Sequence, residues 1–380
     1  MTRKLLFFIE SLDVGGAERS LVALLNAAKF DGFTVDLMML KKGTFFTDLP
    51  SHVNVIILEE SNISLFKRIK FYILNKVNTQ NLHSAQNFWR VFQSSFQKVK
   101  KKYDVAISYS QGFSTYFIAE KVGAERKYSW VNIDYKKAGY DMKFDYPFYE
   151  KFDKVIAVSH DVERGLKHEL KNIQKNLPIE IIRDITNDKI LKQQSLAPLK
   201  ISFDEKEINI VTVCRLVKQK GLLLAVEACA LLIKKNYKIK WYVVGEGSER
   251  NNLEKLIVLR NLQNSFFLLG ADANPYPYMN ACDIYVQTSL FEGLGLTVIE
   301  ASYLNKAIVC TNFPTVYGIL KHEETGLIAE MNAESIATQI ERLILNEELR
   351  QTLTTNLSYL KNTDMEESLS NFHHLIRLDY

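Results

Sequence analysis

The sequence lacks the features that mark several large classes of protein. Its 380 residues contain no apolar run of the roughly 18 residues that would suggest a membrane span. The longest candidate, residues 222–233, is interrupted by Glu227 and reads as a buried helix. The first ten residues run straight into a strand without a cleavage signal, so no secretory leader is expected. The four cysteines, Cys214, Cys229, Cys282 and Cys310, form no Cys-x-x-Cys pair. They read as reduced, mostly buried thiols of a cytosolic protein. There is no Asp-x-Asp pair of the kind that holds a metal-bound diphosphate, and no His-x-x-x-His pair for zinc. The adjacent His373 and His374 read as solvated helix surface. A Gly-x-Ser-x-Gly elbow and a Walker-type phosphate loop are both missing. Acidic residues are absent from 61–102, where nine Lys or Arg fall, so the net charge of +4 leaves the rest of the chain net acidic. That asymmetry points to an anionic partner for one surface.

What is present reads as a globular α/β protein. The hydrophobic share of 47% and charged share of 24% are ordinary, and the length suits two domains of roughly 150–200 residues each. Short apolar runs at 4–9, 34–40, 53–58, 104–108, 128–132, 154–159 and 179–185 alternate with helical patterns such as 17–28. A polar stretch around 186–205, with Pro198, breaks the rhythm. A second cycle follows, with strands expected at 208–214, 239–244, 266–269, 284–287 and 308–311. Its helices are expected at 222–234, 249–259, 297–304 and 335–345, and two or three helices close the chain. Near-continuous apolar strands separated by helices imply parallel sheets covered on both faces. The expectation is two Rossmann-like, doubly wound domains, 1–190 and 207–360, with a linker at 191–206. A C-terminal helix at 361–380 is expected to pack back toward the N-terminal domain. Such units bind ligands at the carboxyl ends of their strands.

Three motifs sit at those strand ends. Gly15-Gly16-Ala17-Glu18-Arg19 follows the first strand and opens a helix, where free N–H groups suit a phosphate. A tight strand-to-helix turn without a ligand would read the same. Arg215 and Lys220, five apart and followed by Gly221, stand after the first strand of the second domain. Two cations beside a helix start would neutralise a diphosphate; the plain alternative is a solvated basic loop. The third motif, Phe291-Glu292-Gly293-Leu294-Gly295-Leu296-Thr297-Val298-Ile299-Glu300-Ala301, places one glutamate in a glycine-rich turn and another in the next helix. These two can hold sugar and ribose hydroxyls, or else cap the helix and lie on the surface.

Together these segments resemble glycosyltransferase family 4, the retaining enzymes of the GT-B fold. Asn274-Pro275-Tyr276-Pro277-Tyr278-Met279, followed by Ala281-Cys282-Asp283, strengthens the likeness. The resemblance implies that Gly15 and Gly16 approach the donor phosphate and the transferring sugar. Arg215 and Lys220 would bind the diphosphate, and Glu292 would hold donor-sugar hydroxyls, making Glu292, Arg215 and Lys220 the catalytic set. Backbone N–H groups of Leu296 and Thr297, beyond Gly295, would contact phosphate. Glu300 would bind the ribose, and Leu269 and Gly270 would flank the base. Three departures fall on the acceptor side. Asn132 stands where relatives often carry a histidine, Arg183-Asp184 where many show Asn-Pro, and residues 314–318 lack a glutamate often found there.

The implied activity is transfer of a sugar from a nucleotide-diphosphate sugar, a UDP-sugar first, to a hydroxyl of a glycan or lipid-linked glycan. Retention, no metal and no other cofactor are expected, with a role in cell-surface polysaccharide synthesis. Alternatives are a non-catalytic glycosyltransferase-like partner and a GT-B sugar-nucleotide epimerase. Asn132 remains a possible sugar or acceptor contact, since an amide bonds hydroxyls but transfers no proton. Arg215→Ala or Lys220→Ala is expected to abolish turnover and weaken nucleotide-diphosphate binding while leaving the fold intact. In 61–102, Leu65, Ile69, Tyr72 and Ile73 share a helical face among Lys67, Arg68, Lys70 and Lys76, and the pattern continues through Phe88, Trp89, Arg90, Phe92 and Phe96. This suits an anionic membrane at the cytoplasmic leaflet. The alternative is that the apolar face packs on the first domain. No nucleic-acid partner is expected, because no recognised binding motif occurs.

Overall fold

A computed structural model describes residues 2–58, 64–78, 80–359 and 364–377. The chain forms two units. One runs to Ile185 and takes in the helix from Asp364; the other runs from Thr186 to Thr363.

The first unit holds seven strands: β1 (Arg3–Phe8), β2 (Phe33–Met39), β3 (Val53–Ile57), β4 (Tyr103–Ser108), β5 (Ala124–Val131), β6 (Lys154–Ala157) and β7 (Ile179–Ile181). They pair in the order β3-β2-β1-β4-β5-β6-β7, every neighbour parallel. Strand order reverses between β1 and β4, so their carboxyl ends flank the crevice where doubly wound sheets bind ligands. Leu6 and Phe8 face one layer with Trp89, Phe113 and Phe117. Phe7, on the opposite face of the pleat, stacks on Phe372 at 6.0 Å between ring centres. The helix Asp364–Ile376 thus seals the second face of this sheet, and Phe372 is fully buried there. His373 is only half-exposed; its Nε2 accepts the Lys29 amide at 3.1 Å, whereas His374 is the solvated residue of the pair.

The second unit holds β8 (Ile208–Val213), β9 (Ile239–Val244), β10 (Phe266–Gly270), β11 (Ile284–Gln287), β12 (Ala307–Thr311) and β13 (Leu327–Ala329). Their order is β10-β9-β8-β11-β12-β13, again all parallel, with the reversal between β8 and β11. Alternation along β9 divides the core: Trp241 and Val243 join one layer, Tyr242 and Val244 the other. A short helix leads into the expected linker. Asn187 caps a helix, Asp188–Gln194, whose Leu191 is buried in the second unit's core. The Asn274 side chain fastens that helix by donating to the Gln194 carbonyl at 2.9 Å.

The basic segment divides in two, apart from 61–63 and 79, which lie outside the described residues. The expectation of one continuous interfacial surface fails over Ser84–Phe92 and beyond. Trp89, Phe92 and Phe96 are core residues, and Phe88 packs against them. The helix Leu65–Val77, by contrast, buries no residue fully.

Candidate active site

The carboxyl ends of β8 and β11 lie side by side and carry the second unit's polar cluster. Gly221 fits a backbone that admits little else: φ is +60°, and a Cβ there would stand 2.1 Å from the Thr288 carbonyl oxygen. This contact brings the basic turn after β8 against the loop after β11. Thr288 Oγ1 donates to the Lys220 carbonyl at 2.9 Å, and Gln219 Nε2 donates to that of Phe291, also at 2.9 Å. The Leu290 amide donates to the Gln219 carbonyl at 2.8 Å.

Lys220 and Glu292 are thereby paired. The Lys220 ammonium donates to both oxygens of Glu292, at 2.6 and 2.8 Å. The pair is largely desolvated, with side-chain exposures of 14% and 8%. Low exposure strengthens the attraction and makes loss of either partner costly. Ser289 Oγ donates to Glu292 Oε1 at 2.5 Å, and Gln287 Nε2 donates to Ser289 Oγ at 2.8 Å. Gln287 Oε1 in turn accepts from Tyr285 at 2.9 Å and from Thr297 Oγ1 at 3.4 Å. Sequence reasoning missed Gln287, Thr288 and Ser289. The available signal was a polar triplet closing an apolar strand at its ligand-binding end.

Gly295 adopts φ +86° and caps the helix Leu296–Tyr303. The first intrahelical bond there runs from the Val298 N–H to the Gly295 carbonyl, at 2.9 Å. The N–H groups of Leu296 and Thr297 precede it and carry the positive end of the helix dipole. Glu300 is 3% exposed and accepts from the Tyr276 hydroxyl at 2.9 Å, so it is not a surface residue. Arg215 is exposed beside these groups in sequence, on the same turn as Lys220. Cys214 precedes it, its thiol pushed up to about 12 chiefly by burial, and so offers no thiolate nucleophile. All four cysteines are free and buried. Leu269 and Gly270 end β10; Gly270 has φ +87°, and its carbonyl accepts the Gly245 amide at 2.8 Å. Among the described residues no group of three or more His, Cys, Asp or Glu is placed to hold a metal.

Gly15, Gly16 and Asn132 belong to the first unit. Gly15 caps the helix Gly16–Ala27 in an extended conformation, and the Glu18 carboxylate lies over it: a Cβ at Gly15 would stand 2.1 Å from Glu18 Oε2. The turn expected to receive a phosphate is therefore covered by a carboxylate of its own helix. Asn132 ends β5. Its amide nitrogen donates to Asp184 Oδ1 at 3.4 Å, and its Oδ1 is buried without a hydrogen-bond partner. Ser20 Oγ donates to the same Asp184 oxygen at 2.9 Å and lies 3.0 Å from the Tyr109 hydroxyl. Burial, with a contribution from the Glu18 charge, raises the Asp184 carboxyl to about 7.

Residues 196–357, less than half of the chain, match the family model described as glycosyl transferases group 1. That stretch contains every donor-side candidate from Arg215 to Glu300. The chain is 25% identical over 265 residues to an uncharacterized glycosyltransferase of Methanocaldococcus jannaschii, covering 60% of this chain and 64% of the relative. It is 29% identical over 192 residues to the N-acetylgalactosamine-N,N'-diacetylbacillosaminyl-diphospho-undecaprenol 4-alpha-N-acetylgalactosaminyltransferase of Campylobacter jejuni, covering 49% and 51%. The chain thus spans less than two thirds of either relative's length. Its structure is similar to that of Anabaena HepE in complex with UDP and glucose, with a TM-score of 0.72 at 17% identity over 98% of this chain and 99% of that one. The fold is GT-B. Two Rossmann-like units, each with its strand-order reversal, are the GT-B arrangement; the candidates from Arg215 to Glu300 lie in the second unit, and Gly15 and Gly16 in the first.

Proposed function

We propose that the protein is a glycosyltransferase that moves a sugar from a UDP-sugar to a hydroxyl of a glycan or lipid-linked glycan, with retention at the anomeric carbon. The observation that carries this reading is the desolvated Lys220–Glu292 pair beside the helix start at Leu296. The chemistry needs positive charge where a diphosphate leaves and a carboxylate where sugar hydroxyls bind, and the pair supplies both within one contact. Two of the three Lys220 donors are engaged by Glu292, which leaves one for a phosphate oxygen. Arg215, exposed on the same turn, adds a bidentate donor.

In this mechanism the bond from the anomeric carbon to the diphosphate oxygen breaks while Arg215, Lys220 and the Leu296 and Thr297 N–H groups stabilise the departing charge. The acceptor oxygen forms its bond on the face being vacated, and its proton passes to the leaving diphosphate. No protein base is needed, so Asn132 can serve by bonding a hydroxyl. Glu292 fixes the donor sugar, Glu300 the ribose, and Gly270 lies beside the base. The diphospho-undecaprenol substrate in the Campylobacter relative's name supports a lipid-linked acceptor, and the UDP bound to HepE supports the choice of nucleotide. Relatives named for O-antigen and capsular polysaccharide biosynthesis support a role in surface polysaccharide synthesis, which we place in the cytoplasm.

A thermal-shift and calorimetric panel of UDP, GDP, ADP and their sugars tests the donor site. A ligand at a hundred times its Kd adds about 2.7 kcal/mol of stability. Stabilisation by UDP and UDP-sugars, lost in Arg215→Ala, is expected; indifference to every nucleotide would favour the non-catalytic partner. NMR of the product linkage reports retention, and an inverted linkage overturns the mechanism.

A further inference from the structure

The helix Leu65–Val77 presents two unlike faces. Phe71 and Leu74 turn inward; Phe71 meets Phe88 and Phe92 edge-on at 5.6 Å each. Lys67 lies on this inner side too, its ammonium donating to Ser94 and Ser95 at 2.9 and 2.7 Å. The outer side carries Leu65, Phe66, Ile69, Tyr72, Ile73 and Val77, each between 50% and 75% exposed. At about 100° per residue these six span a continuous sector roughly 140° wide. Arg68 borders one edge of that sector and Lys70 the other, and both are exposed. Lys76 projects from within it near the last turn, its ammonium 5.9 Å from the Tyr72 ring centre. The helix has no acidic residue.

We propose that this helix is a membrane-docking element, whose outward face inserts at the interface of a bilayer containing anionic lipid. A soluble surface rarely spends six large apolar side chains on one exposed helix face. Cations along both edges of such a face match a phospholipid surface, where their stems lie along the apolar layer and their heads meet phosphate. The same arrangement disfavours a second copy of this chain. An isologous contact would bring the cations of this helix near those of its copy with no acidic residue on either helix to meet them, and like charges repel. The element is the next described helix after β3, whose carboxyl end lies on the functional side of the first sheet. Docking by this helix would hold that edge toward the lipid surface, where an anchored acceptor is met.

Co-sedimentation of the full chain with phosphatidylcholine vesicles, with and without phosphatidylglycerol, tests the proposal. Wild type is expected to pellet with the anionic vesicles at low salt and to be released at high salt. Arg68→Gln/Lys70→Gln/Lys76→Gln should weaken that binding on the order of a hundredfold. Phe66→Ser/Ile69→Ser/Ile73→Ser should abolish it while leaving circular dichroism and UDP-induced stabilisation unchanged. Wild type remaining in the supernatant, or variants pelleting as wild type does, would overturn the proposal. So would a wild-type oligomer that the serine variant converts to monomer, since the face would then be buried between copies. The donor reading is scored separately: a protein stabilised by UDP that ignores vesicles loses only the membrane element.

Discussion

The two sheets handle a buried carboxylate at their carboxyl ends in different ways. In the second unit Glu292 is met by a lysine and a serine, so its negative charge is matched before any ligand arrives. In the first unit Asp184 accepts from Ser20 and Asn132, both neutral, and its carboxyl rises to about 7. A matched ion pair keeps a charged site charged in a low-dielectric setting; neutral donors let burial push the proton onto the acid. The difference fits a division of labour. In the proposed mechanism the second unit keeps Glu292 on Lys220 and offers the remaining ammonium donor to a diphosphate. The first would bond neutral hydroxyls.

The largest effect should come from breaking the matched pair. Lys220→Ala leaves Glu292, 9% exposed as a whole residue, buried without its cation. Unfolding of the second unit should lose about 3 kcal/mol, and UDP binding should disappear. This revises the expectation from sequence that the fold would be untouched. Lys220→Met/Glu292→Leu should recover most of the stability in chemical denaturation but none of the binding. Equal stability of Lys220→Ala and wild type would show that the pair is not the structural unit described. Arg215→Ala sharpens the contrast from the exposed side. Its affinity for UDP should fall by about 1.5–3 kcal/mol, while stability stays within about 0.5 kcal/mol of wild type. Unchanged affinity by calorimetry removes Arg215 from the site.

Much of this contrast was legible in the sequence, and the missing parts share a cause. Lys220 and Glu292 could be found because each follows an apolar strand at the end where parallel sheets bind ligands. The chain from Tyr285 through Gln287 to Ser289 could not, because burial decides whether a polar triplet is a network or a loop. The strand Leu327–Ala329 has three residues, too few for any periodicity to register. The stacking of Phe372 on Phe7 joins opposite ends of the chain: the apolar stripe at 364–376 suggested packing toward the N-terminal domain, but not which side chains would meet there. The basic segment makes the point most directly. Residues 65–77 and 84–92 are both helical, aromatic and cationic, yet Trp89 and Phe92 are buried while Phe66 and Tyr72 face outward. Periodicity marks a face; only the neighbours decide what covers it.

The first unit's side of the comparison predicts a pH dependence of moderate size. The folded Asp184 carboxyl, at about 7, lies above its unfolded value of about 4. Its contribution to stability is therefore full below about pH 4 and is lost as pH rises through 7. Asp145, raised to about 6 by burial although Gln86, Tyr116 and Tyr135 donate to it, adds a slope of the same sign. Asp184→Asn keeps an acceptor for Ser20 and removes the titration. Thermal unfolding of wild type should weaken between pH 5 and pH 7, and the variant should show a smaller decline. Parallel curves would mean that Asp184 does not hold its proton in the folded protein.

The smallest expected effect is that of chelation, and it bears on how the second unit obtains its positive charge. Both candidate carboxylates there already have a partner: Lys220 and Ser289 hold Glu292, and Tyr276 donates to Glu300. A divalent ion asks for several oxygen ligands converging on one point, and a carboxylate committed to a lysine is a poor candidate. In the proposed mechanism two cationic side chains and a helix start would provide the charge that a metal would otherwise bring to a leaving diphosphate. Sugar transfer from a UDP-sugar should therefore proceed at the same rate after exhaustive treatment with EDTA. Loss of activity that magnesium or manganese restores would break the comparison at its centre, because the second unit would then be matched by a bound ion and not by Arg215 and Lys220.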